Sequence, residues 1–129
     1  MRLISSVGRD TLSLSKEQST KTEHTLFFLP DSGTWRAPVA GVITSISAYL
    51  PEVTLTVGAD TTLRFSWREA GGGALPPIGG GFFLLSTVGQ PMVRGQVIAH
   101  TELARYRRAG LSPLLALTLA GAGAARLMR

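Results

Sequence analysis

The chain has 129 residues, 44% hydrophobic and 16% charged, which suits one folded domain with a modest core and excludes a disordered segment. It contains no cysteine, which excludes disulfides, thiolate metal sites and cysteine nucleophiles and fits a reducing compartment. The formal charge is +5, and the late part of the chain sets Arg105, Arg107, Arg108, Arg126 and Arg129 against Glu102 alone. Only Tyr106 interleaves with those arginines and no nucleic-acid module is recognisable, so nucleic acid is not an expected partner.

The opening MRLISSVGRD lacks a long apolar core and does not read as a signal peptide. Residues 1–24 are polar, and LSLSKEQSTKTEH reads as a loop or linker ahead of a domain at 25–125 and a basic tail at 126–129. TLFFLP is a short apolar run that Pro30 ends. PDSG has turn composition. WRA is extended, because the residue before Pro38 avoids the helical region, and GVITSI is strand-like.

PEVTLTV and DTTLRFSW read as two strands around a tight GAD hairpin. In the second, Leu63, Phe65 and Trp67 share one face, and Thr62, Arg64 and Ser66 share the other. Phe65 and Trp67 are therefore core candidates, and Ser66 an outward-facing strand serine. EAGGGALPPIGGG, with six glycines and two prolines, holds neither a helix nor a central strand. FFLLSTV is a strand, and GQPMVRGQVIAHT gives turn, strand, turn, strand.

ELARYRRAG is the one helical stretch, with Gly110 as its terminator and arginines at its negative end. SPLLALTLAG closes with a strand. The apolar stretch around it is shorter than the ~20 residues of a spanning helix, and Pro113 interrupts its start, so no membrane insertion is expected. No tandem repeat is visible. These elements predict an all-β fold, a β-sandwich or barrel-like domain of short antiparallel strands with one short helix.

The residues name no chemistry by themselves. His24 and His100 stand far apart and outside any metal-ligand spacing, so no metal or other cofactor is expected. The glycine runs lack the lysine and hydroxyl residue of a phosphate loop. Asp31, Glu52, Asp60, Glu69 and Glu102 show no pairing for acid–base work. An enzyme built on His100 and a carboxylate is the weakest of the open readings.

The order of the motifs carries more. LPDSGTWRAPVAGVITSI resembles the P-x-x-G-x-x-x-A-P-V-D-G-x-V segment of the glucose-type IIA domain of the bacterial phosphoenolpyruvate:sugar phosphotransferase system, matching at Pro30, Gly33, Ala37, Pro38, Val39 and Gly41. GGGF at 79–82, GQPMVRGQVIA, and the short helix followed by PLLALTLAG are similar to that family's later motifs. The resemblance covers residues 25–121.

It implies a cytoplasmic sugar-transport component whose phosphoryl-accepting histidine would stand at Ser66 and whose second histidine would stand at Pro51. The family's glycine after the acceptor is Arg68, and its PVDG aspartate is Ala40. A serine ester is stable and its hydroxyl needs a base, and proline offers no side-chain donor, so the reading is a degenerate copy that does not relay phosphate. It would bind protein partners, the histidine phosphocarrier protein or a IIB domain, through a face including Phe65, Ser66, Trp67, Pro51 and Val39.

The alternative is a β-sandwich module outside transport, related to inactive lysostaphin-type zinc endopeptidases. GQPMVRGQVIA is similar to their turn as well, but their zinc-binding H-L-H would fall at Leu114 and Ala116, which bind no zinc.

Overall fold

Alternation along the chain builds two sheets, seen in a computed structural model that describes residues 12–19, 23–30, 33–47, 51–69, 73, 75 and 82–124. The strands are β1 (Leu12–Ser19), β2 (Glu23–Pro30), β3 (Thr34–Arg36), β4 (Gly41–Ser47), β5 (Glu52–Val57), β6 (Thr61–Glu69), β7 (Phe82–Leu84), β8 (Pro91–Met92), β9 (Val97–Thr101) and β10 (Pro113–Gly121). A short helix, α1, spans Leu103–Arg108. A seven-stranded sheet has the order β1-β2-β10-β6-β5-β4-β8, and a three-stranded sheet the order β3-β9-β7. All the pairings are antiparallel. The described residues form the predicted all-β, sandwich-like fold of antiparallel strands, with a short helix at 103–108.

The large sheet buries one face in rows set by register. Leu26, Leu117, Phe65 and Val53 align across four strands, and Phe28, Leu115 and Trp67 form the next row. Trp35 on the small sheet crosses the gap between the layers. Its ring lies 6.4 Å from Phe65, 6.0 Å from Trp67 and 5.4 Å from Phe82. Phe65 and Trp67 are thus core residues, as the period of two predicts.

Several elements differ from their sequence reading. Part of LSLSKEQSTKTEH is a strand rather than a linker, since β1 pairs along β2 from Leu12↔Pro30 to Ser19↔His24. Its polar alternation suits the edge of a sheet, where a core-facing signal is weak. FFLLSTV is a strand only at Phe82–Leu84. A bulge at Thr44 shifts the β4–β5 register, and this lets both Ile43 and Ile46 reach the core from positions that a regular strand would put on opposite faces.

One turn is used twice, although no tandem repeat is visible in the sequence. Thr87–Gln90 and Val93–Gln96 each place a glycine at positive φ (Gly89 91°, Gly95 88°) and close with a glutamine N–H donating to the first carbonyl at 3.1 Å. Each glutamine Oε1 accepts back from the first residue's N–H at 3.0 Å. The turns clasp Ile43 and Ala37 by the same pair of backbone bonds. The Gly-Gln pair is the part of the sequence that the two turns share.

Helix α1 buries Leu103 and Tyr106, and the Tyr106 ring meets Trp67 edge-on at 5.6 Å. Gly110 (φ 80°) ends it, with Leu111 N–H donating to Tyr106 C=O and Gly110 N–H to Arg107 C=O. At its start Arg105 Nε donates to Glu102 Oε2 at 2.7 Å. That bond, reinforced by the charges of Arg105, His100 and Arg108 and opposed by desolvation, lowers the Glu102 carboxyl below its ordinary value of 4.5.

Because the folded value lies below the unfolded one, the stabilisation is present above the unfolded value and is lost as pH falls through the folded one. Melting curves of the native chain and Glu102→Gln are expected to differ at neutral pH and to converge as pH falls below the ordinary carboxylate range. A gap that stays constant over that range counts against this pairing. Among the described residues, no helix is long and apolar enough to cross a membrane.

Candidate functional site

The outer face of the large sheet is where β6 carries its polar alternates. Ser66 lies between Glu52 on β5 and Ala116 on β10, with Phe27 of β2 next in the row. The adjacent row is Thr25, Thr118, Arg64 and Thr54, and on the other side Arg68 faces Leu114. The small side chains of Ser66 and Ala116 lie in the row between the longer Arg64 and Arg68, and that of Thr118 lies beside Arg64. Ser66, Ala116 and Thr118 are all buried. A period of two correctly sets Ser66 on the face opposite Phe65 and Trp67, but it does not reveal that the serine is only 5% exposed.

Arg68 Nε donates to Ser66 Oγ at 3.2 Å. Among the described residues, no acceptor takes the Ser66 O–H. A guanidinium removes no proton, so this contact does not activate the hydroxyl as a nucleophile. Glu52, directly across in register, makes no hydrogen bond to it among the described residues. Arg64 Nε is buried with no hydrogen-bond partner among the described residues. An orphaned buried donor of this kind costs about 1–3 kcal/mol, more when it is charged. Neither arginine forms an ion pair with a carboxylate among the described residues.

The other candidate positions do not gather around Ser66. Pro51 is a buried turn residue whose C=O accepts from Trp67 N–H at 3.3 Å, one step out of register with the serine. Phe65 and Trp67 are each 1% exposed on the core side, and Val39 is also buried. The expected partner face therefore reduces to Ser66. Phe65 and Trp67 belong to the core because strict alternation turns them away from the serine between them.

Leu114 and Ala116, where the endopeptidase resemblance would put zinc ligands, do lie beside Arg68 and Ser66. Both resemblances thus converge on one patch of sheet. His24 shares the row of Leu119 and Leu63, on the core side of the sheet. His100 is on the other sheet, its Nδ1 3.1 Å from Thr34 Oγ1 and its ring stacked 6.4 Å from Phe83. The nearby carboxylate of Glu102 is engaged by Arg105. Among the described residues, no three His, Cys, Asp or Glu side chains group as metal ligands do.

Sequence reasoning missed Arg64 and Arg68 as parts of the site. The signal was present, since residues at i and i±2 of a strand share a face with Ser66. No protein-family model matches the chain, and no curated protein matches it.

Proposed function

We propose that the chain is a IIA-like module of the sugar phosphotransferase system that acts by binding a protein partner and not by relaying phosphate. The observation that carries this reading is the state of Ser66. At the position where the resemblance expects a phosphoryl-accepting histidine, a buried serine accepts a bond from Arg68, and both histidines of the chain lie elsewhere. The motif residues Gly33, Ala37 and Gly41 have backbone roles, which supports a kept scaffold with an altered site.

In this reading the partner is the histidine phosphocarrier protein or a IIB domain. It docks in the cytoplasm on the outer face of the large sheet. Incubation with phosphoenolpyruvate, enzyme I and the phosphocarrier is expected to leave no acid-labile phosphate on the chain. Amide resonances of β6 and β10 are expected to shift when phosphocarrier or IIB is added. Acid-labile phosphate would sink the inactive reading. Unmoved resonances with both partners would sink the transport reading, in favour of a module outside transport.

A further inference from the structure

We propose that Arg64, Ser66 and Arg68 form a non-covalent binding site for a phosphate-type oxyanion on the outer face of the large sheet. The site coincides with the face proposed above for a protein partner, but it depends on none of that partner's properties.

The three side chains stand at alternate positions of one strand, so all project from the same face. The Cα atoms of Arg64 and Arg68 are about 13 Å apart along an extended strand, a span that two arginine side chains can bridge from both ends over the serine. Ser66 and Ala116 lie in the row between the two arginines and Thr118 beside Arg64, and all three side chains are small and buried.

The donors at this spot are uncommitted in a specific way. Arg64 Nε is shielded from water and has no acceptor among the described residues. Arg68 spends its Nε on Ser66, and that bond leaves the serine O–H free to donate. Two guanidinium groups without carboxylate partners among the described residues and a hydroxyl offer donors from several directions. A tetrahedral oxyanion presents acceptors in several directions, and its bonds to arginine are charge-assisted.

Glu52 stands across from Ser66 and is the one opposing charge in these rows among the described residues. It pulls against any anion and gives the site a sign that can be tested. Removing its charge tightens binding if the ligand is anionic, whereas a purely structural role for the arginines predicts no such gain.

Inorganic phosphate titrated at fixed ionic strength, followed by the arginine Nε–H resonances, is the direct test. Saturable binding with a dissociation constant on the order of millimolar is expected, with Arg64 and Arg68 shifting and chloride without effect. Arg64→Gln and Arg68→Gln should each weaken it about tenfold, with melting curves confirming that both variants fold. Glu52→Gln should tighten it severalfold, and Arg94→Gln, in the turn at 93–96, should leave it unchanged.

A phosphoserine peptide in a parallel arm identifies the source. Tighter binding than inorganic phosphate means that the anion arrives on a protein, and equal binding means that it arrives free. Non-saturating shifts, or affinity unchanged by both arginine variants, would overturn the site. No partner protein is in the tube, so this outcome is separate from failure of the docking reading.

Discussion

Trp35→Ala is expected to lower the unfolding free energy by about 3–5 kcal/mol, a large part of the ~5–15 kcal/mol of an ordinary domain. Trp35 comes from a three-residue strand, yet its ring touches the aromatic side chains of both sheets. Truncation opens a cavity between layers that strand pairing holds apart, so the gap does not close by collapse. The indole N–H is buried with no partner among the described residues. Trp35→Phe removes that unsatisfied donor while keeping a ring, and is expected to cost less than half as much as alanine. Urea unfolding of the two variants provides the check. A loss below about 1 kcal/mol for alanine, or equal losses for both, would show that the ring does not join the layers.

Gly33→Ala is expected to destabilise by about 3 kcal/mol or more, although it adds one methyl group. A Cβ at Gly33 would stand 1.5 Å from the Thr101 carbonyl oxygen, inside covalent range of a backbone atom. The crowding exists because Gly33 C=O accepts from Thr101 N–H at 2.8 Å and also from the Thr101 hydroxyl at 3.3 Å. Relief requires β3 to move away from β9, and Trp35 would move with it. Urea unfolding, together with faster hydrogen exchange at the Thr101 amide, is the expected result. An alanine variant of native stability would refute the close approach. The glycine of the P-x-x-G motif therefore has a structural reason to be there, independent of any chemistry at Ser66.

How much could be read in advance depended on whether the information was local. The alternation of DTTLRFSW, the GAD hairpin, the helix around Tyr106 and its stop at Gly110 all follow from side-chain period and backbone preference within a few residues. The strand at Leu12–Ser19 was hidden because it is polar and lies at a sheet edge. The bulge at Thr44 was hidden because it answers to core contacts on β5 rather than to its neighbours in the chain. The expected partner face failed at Phe65 and Trp67 because residues adjacent in sequence on a strand point to opposite sides.

The sequence alone determined the strand periods, the turns, the helix at 103–108, the lack of cysteine and the presence of a serine and a proline, Ser66 and Pro51, where the resemblance would put histidines. Tertiary structure decided what surrounds Ser66. The β2-β10-β6-β5 order brings residues from distant parts of the chain into one row, with Ala116 on one side of the serine and Glu52 on the other. It also buries the serine and strands Arg64 Nε without an acceptor. The physical reason is that side-chain alternation is set by each strand's own backbone. Register between strands is set by the shared core that they bury together, and no single segment encodes it.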